Sequence, residues 1–337
     1  MNPTHHRLSK TGRWLVAIGC ALSLSLARAD MPSGEELLGR IGVPPAKVAE
    51  LDLGKTISWE PPENSDKELA DAVAVYVQVP LAKVVAFVKK GDFAGLDATV
   101  TAQASLPERA GAEAFKRFAL PEDEAQDLLD ATAGDKFNLS QEEFARFAEL
   151  KAGGADAQAA AQRYREILAE RYQAYRQKGL AGIAPYARDG GRADPAEELR
   201  VAAGRGIALV QNYFPELYDA WLNYPKPLPD GATERFTWQS RKVEDRPTAT
   251  LTHRLTQATD GGALVLQRQY YVGHSYNSSQ LALGCLPYRD GALVFYSLRS
   301  STDQVAGMGS GLKHSIGRDR MKAEMVKQLQ GLGKRLK

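Results

Sequence analysis

Cysteine is nearly absent from this chain, with two in 337 residues, Cys20 and Cys285. If the N-terminal segment is removed, only Cys285 remains, and an intramolecular disulfide is excluded. Histidine is scarce too, five in all, and beyond the N-terminal segment only His253, His274 and His314 are left. There is no H-x-H and no H-E-x-x-H, so metal binding is not expected. Large excess charge of one sign is also missing, the formal balance being +2. A nucleic-acid-binding domain would need clustered Lys and Arg, and nucleic acid is therefore not an expected partner. The longest apolar run, "WLVAIGCALSLSLA", falls short of the roughly 20 residues a bilayer span requires.

What is present begins with that run. Arg7, Lys10 and Arg13 precede it without an acidic residue, and Ala27-Arg28-Ala29 follows it. A basic region, an apolar core of about a dozen residues and small side chains before the cut describe a secretory leader. We expect cleavage near Ala29 and delivery to the periplasm or the exterior. A rival reading makes Cys20 an outer-membrane lipid anchor. It is disfavoured because most of the apolar stretch follows Cys20 and Ala17 stands where leucine is usual. Loss of residues 1–29 removes four basic residues and no acidic one, leaving 39 against 41. The precursor's slight basicity thus belongs to the leader.

Periodicity divides the remainder into a β/helix part over 30–120, a helical subdomain over 121–225, and an antiparallel sheet with a closing helix over 226–337. Ser33 and Glu36 form a capping-box pattern for a short helix that Gly42 and the double proline should end. Val73, Val75, Val77 and Val79 alternate as in a half-buried strand, and Pro80 then opens a helix carrying Val84, Val85 and Val88. "ATVTAQASL" and "EAFKRFAL" read as further β runs. In the helical segment Ser140 and Glu143 form a capping box, with Leu139 and Phe144 as a hydrophobic staple. Asp194 caps a helix that has Pro195 at its first position. Tyr164, Leu168, Tyr172 and Tyr175 share one helical face. From Glu234 five β-rich runs follow one another across short breakers, which predicts hairpins. The chain closes on Met321, Met325, Leu329, Leu332 and Leu336, one apolar stripe of a long amphipathic helix.

Tests for catalytic motifs are mostly negative. "QYYVGHSYNSSQ" places His274 beside Ser275, yet in an extended strand adjacent side chains point to opposite faces. That reading separates the pair and puts Tyr270, Val272, His274 and Tyr276 in one inward row, with "NSSQ" as a turn. "GMGSGLKH" lacks the G-x-S-x-G spacing of a nucleophile elbow. It also lacks the GK[ST] of a phosphate loop, so no cofactor is expected; it reads as a loop before the last helix. Ser301 or Asp303 serves as a turn or cap residue. The calcium-loop resemblance of residues 130–143 fails at its glycine and final acidic positions. His253 lies on the apolar face of Ala249, Leu251 and Leu255, opposite Thr248, Thr250 and Thr252.

The phrases "VYVQVPLAKVVAFVKK" and "GRDRMKAEMVKQLQGLGKRL" are similar to the opening strand, proline and first helix, and to the closing helix, of the helix-grip fold of the START-type lipid-transfer and polyketide-cyclase superfamily. Residues 121–225 depart from that pattern. The resemblance implies an α+β fold in which a curved antiparallel sheet and the C-terminal helix enclose an apolar cavity. The expected function is non-catalytic binding of a lipid or other hydrophobic small molecule, with Trp238, His253, Tyr270, His274 and Tyr276 lining the cavity. One alternative is a cell-envelope protein that presents the tyrosine-bearing helices to a protein partner. Another is a hydrolase or lyase in which His253 or His274 faces a cleft with a carboxylate or serine in reach.

Overall fold

The computed structural model describes residues 31–336 apart from 92, 94, 135, 207, 307 and 308, and leaves the side chains of 205–209 undescribed. The leader, Cys20 and part of the "GMGSG" stretch lie outside the described residues.

Two short helices, α1 (Gly34–Arg40) and α2 (Pro45–Asp52), precede β1 (Ile57–Trp59), β2 (Glu68–Val77), α3 (Leu81–Lys90) and β3 (Val100–Ser105). Ser33 caps α1 by accepting the Glu36 amide, as its pattern predicts. The double proline starts α2 instead of merely ending α1, since Pro45 occupies a first-turn position where no amide is needed. α3 follows Pro80 and stops at Gly91, whose left-handed φ of 65° suits a residue without Cβ. The helical segment holds α4 (Glu122–Leu129), α5 (Gln141–Ala152) and α6 (Ala157–Lys178), a small hairpin β4 (Tyr186–Arg188) and β5 (Gly191–Ala193), then α7 (Pro195–Gly206), α8 (Ala208–Tyr213) and α9 (Pro215–Leu222). Ser140 and Glu143 make both bonds of the capping box, and Asp194 accepts the Glu197 amide. The run "EAFKRFAL" is not a strand. Its start is a 3₁₀ turn, Ala112–Phe115, because Phe115 and Phe118, three apart, both pack on Trp238.

Five strands then form the expected meander: β6 (Thr233–Val243), β7 (Arg246–Thr259), β8 (Gly262–Val272), β9 (Ser278–Tyr288) and β10 (Gly291–Ser301). The chain ends in α10 (Ser310–Leu336), so Ser310 to His314 belong to the helix and not to a loop before it. The cap at the preceding 3₁₀ turn is Thr302, whose hydroxyl accepts the Gln304 amide, while Asp303 pairs with Lys67 and Arg188. β2 joins the meander beside β10 and β3 beside β6, giving one antiparallel eight-stranded sheet in the order β1-β2-β10-β9-β8-β7-β6-β3. The first and last thirds of the chain therefore build a single sheet, and the helical segment is inserted between its strands. The fold is α+β, as the sequence implies.

Helices cover the two faces of this sheet differently. On one face α3 and α10 bring Val84, Val88, Met325 and Leu329 against Val73, Val75, Val265 and Val294. On the other, α4 to α6 pack on Trp238, Leu251 and Tyr270. α8 and α9 pack there on Leu255, Leu264 and Leu266, and α1 and α2 on Ala74, Tyr76 and Leu293. β2 is consequently buried along all ten residues. Its valine alternation suggested one wet face, but Ala72, Ala74 and Tyr76 on the second row are covered as well. The tyrosine stripe of α6 is spent on the sheet: Tyr172 and Tyr175 are 0 % exposed. Cys285 is a free, buried thiol in the core, where burial pushes it up to about 12.

Candidate functional site

Alternation along the meander decides which side chains reach which layer. In β6, Phe236 and Trp238 turn to the inserted helices, while Arg235, Thr237, Gln239 and Arg241 turn the other way and line a cleft. In β7, Leu251, His253 and Leu255 face the inserted helices, and Arg254 faces the cleft. β8 contributes Val265, Gln267 and Gln269 to the cleft, and β9 contributes Ser279, Leu281 and Leu283. Met321, Met325, Leu329 and Leu332 of α10 form a wall. The cleft is open to solvent and its volume is about 1040 Å³.

The cleft floor is graded. Register places Arg235 opposite Arg254 and Arg254 opposite Gln267. A neighbouring row runs Thr237, Thr252, Gln269, Ser279 and Ser300. Further along the strands the pairs become Val265 with Leu283 and Leu283 with Tyr296, beneath the methionines and leucines of α10. One end of the cleft is thus polar and cationic, and the other apolar. Arg241 is held by Asp97 at 2.6 Å, and Tyr276 donates to Gln269 at 2.7 Å.

Of the five residues expected to line this space, Tyr276 does. Trp238, His253, Tyr270 and His274 do not, and that expectation is corrected: the apolar row of β7 meets the inserted helices, not α10. Trp238 donates to the Ala114 carbonyl at 2.9 Å. Tyr270 stacks on Tyr175 at 3.9 Å between ring centroids. His253 lies within a cage of Phe236, Tyr224, Trp221 and Tyr175, the closest ring being Phe236 at 4.4 Å. Its Nε2 stands 3.0 Å from the Glu234 carboxylate and its Nδ1 2.8 Å from the Tyr175 hydroxyl. A carboxylate only accepts, so Nε2 carries the hydrogen and Nδ1 accepts from Tyr175. Burial holds His253 neutral, down to about 4. The aromatic cage with no solvent exposure makes it a satisfied core histidine.

The row Tyr270, Val272, His274, Tyr276 is broken twice. Leu251 pairs with Tyr271 but Thr252 pairs with Gln269, so Tyr270 is the extra residue of a β-bulge. Tyr270 and Tyr271 therefore both turn to the helices, where the Tyr271 and Tyr164 hydroxyls lie 3.0 Å apart. The strand then ends at Val272, and Ser275 adopts a left-handed φ of 71°. Because the backbone is no longer extended there, His274 and Ser275 are not separated: Nδ1 and Oγ are 2.7 Å apart. "NSSQ" is mostly strand, since β9 starts at Ser278. The His274 Nε2 lies 3.2 Å from the Pro247 carbonyl and 2.8 Å from the Thr248 hydroxyl. Burial, then Arg246, lowers His274 to about 4. Among the described residues no carboxylate hydrogen-bonds this imidazole, so the pair lacks the orienting acid of a triad.

Arg235, Arg254 and Gln267 are cleft residues that sequence reasoning missed, whereas the Met/Leu wall comes from the stripe already read on the closing helix. The signal for Arg254 lay in the same alternation that grouped Thr248, Thr250 and Thr252, continued by two positions. Among the described residues no cluster of His, Cys, Asp and Glu could hold a metal, and no helix is long and apolar enough to cross a membrane. Compared with known proteins, the chain matches no family model, no curated protein and no solved structure.

Proposed function

We propose that this protein is a non-catalytic carrier that binds a hydrophobic small molecule or lipid between the sheet and the C-terminal helix. The observation that carries the reading is the cleft of about 1040 Å³ with Val265, Leu281, Leu283, Met321, Met325 and Leu329 on its walls. Binding sites for small organic molecules are concave, mostly apolar and furnished with a few placed polar groups, at roughly 300–1,000 Å³. The START-type resemblance of the two chain ends points to the same class of ligand, and the leader-like N-terminus to a role in the periplasm or outside the cell. A protein-docking role for the inserted helices has less support, because their tyrosines are buried against the sheet. A histidine-based hydrolase has less still, because His253 has no solvent access.

The test is native mass spectrometry and solvent extraction of protein purified without detergent. A stoichiometric apolar molecule should copurify, and Met321→Trp, which fills the cleft from α10, should release it. Protein that emerges empty and takes up no lipid offered to it would sink the proposal.

A further inference from the structure

Among the described residues, Arg254 stands in the cleft without a counter-ion. Its Nε and Nη2 both donate to the Gln267 Oε1, at 2.9 and 2.6 Å, and its guanidinium lies 4.8 Å from the centre of the Phe93 ring. Among the described residues no carboxylate comes within ion-pair distance of it or of Arg235. The other cleft arginine of the sheet, Arg241, differs in having Asp97. Moreover Arg254 and Arg235 are directly cross-strand, a position where like charges repel and destabilise a sheet. Burial and the neighbouring Arg235 pull Arg254 down to about 10, so the charged form is held at a cost in the empty protein. Lys90, in the last turn of α3, also lines this end. Two arginines facing each other across a strand pair, one stacked on an aromatic ring, present forked donors of the kind that carboxylates and phosphates accept. The apolar end of the cleft begins next to them, where Val265 lies two residues from Gln267 on the same face.

We propose that the ligand is an anionic amphiphile, its carboxylate or phosphate held by Arg254 and Arg235 and its chain laid over Val265, Leu283 and Tyr296 beneath α10. This rests on the cleft reading above and sharpens it to one ligand chemistry. An anion between the two guanidiniums converts their mutual repulsion into two attractions. Gln267 already fixes one edge of Arg254, leaving Nη1 for the ligand. A fatty acid and a lysophospholipid acid present the same chemistry from different sources.

Equilibrium dialysis with palmitate, palmitoyl-lysophosphatidate and neutral monopalmitoylglycerol distinguishes these. At least one anionic probe should bind the wild-type chain tenfold or more tighter than the monoglyceride, and the better of the two identifies the headgroup. Arg254→Gln should reduce that preference at least tenfold. Arg235→Gln, at an exposed position where folding is not at risk, should reduce it as well. Equal affinity for all three probes, or a preference unaltered in both variants, overturns the anion site and leaves the cleft reading standing. Failure of every probe to bind overturns both.

Discussion

Acid should destabilise this protein through two buried imidazoles. His253 and His274 are held neutral down to about 4, whereas in the unfolded chain each titrates near 6.5. Between those values the unfolded state binds more protons, so stability falls as pH falls. The contribution is fully present above about 6.5 and lost progressively toward about 4. At pH 5 each histidine has given up about 2 kcal/mol relative to pH 7.5, or about 4 kcal/mol together. Asp71 acts in the opposite sense. Burial raises its carboxyl to about 6 although Lys322 stands 3.9 Å from one oxygen, so the folded state takes up its proton first and gains roughly 1.4 kcal/mol by pH 5. These three groups together lose about 2.5 kcal/mol. Urea denaturation at the two pH values measures it. His253→Gln should shrink the pH-dependent difference by about 2 kcal/mol whatever it does to absolute stability, and Asp71→Asn should enlarge it by about 1.4. If His253→Gln leaves the difference at its wild-type value, the histidine is not buried neutral and the aromatic cage is wrongly read.

Other perturbations test the helical layer. Glu143 and Arg171 form a bidentate pair, both almost fully buried, and Glu143→Ala should cost about 3–5 kcal/mol in a guanidinium melt by stranding the guanidinium. Tyr175→Phe removes the hydroxyl donating to His253 Nδ1; a loss of about 1–3 kcal/mol is expected from the unsatisfied acceptor. A Cβ on Gly182 would sit 2.1 Å from the Ala174 carbonyl oxygen, so Gly182→Ala should destabilise by about 3 kcal/mol, read as a lowered Tm. A fully stable Gly182→Ala protein would mean that the α6 terminus and the turn after it are not in this contact.

Local signals proved legible where one short-range force decides. The capping boxes, Pro80, the hairpin breakers and the Met/Leu stripe of α10 each depend on residues within a few positions, and each element stands where its pattern puts it. Alternation also assigned the two rows of β7 correctly. It could not say which layer each row meets, because that depends on where residues 121–225 lie, a long-range fact. The apolar row went to the inserted segment because it supplies Tyr175, Trp221 and Tyr224, the partners an aromatic and imidazole cluster needs. The bulge at Tyr270 escaped detection for a related reason. Nothing in "QYYVG" forbids regular alternation, and it is distant partners, Tyr164, Tyr175 and Tyr186 among them, that draw two consecutive tyrosines to one face.

The cleft itself follows from coverage. Eight strands spaced about 4.8 Å apart make a sheet roughly 38 Å wide, and two helices at 8–10 Å separation cover only about half of it. On the inserted-helix side three clusters complete the cover, whereas α3 and α10 leave the β3-β6-β7 end open on the other. A face left open only for want of helices would be polar throughout, as antiparallel sheets are where they meet water. Thr237, Gln239 and Arg241 fit that description. Leu281, Leu283 and Tyr296 do not, and neither does Arg254 beside them, which has no counter-ion among the described residues. A solvated strand, a cation with no counter-ion among the described residues and an apolar floor within one cleft support the proposed binding role over an unfinished layer. They also set the orientation of the proposed ligand, with its charge toward β6 and its chain toward β10.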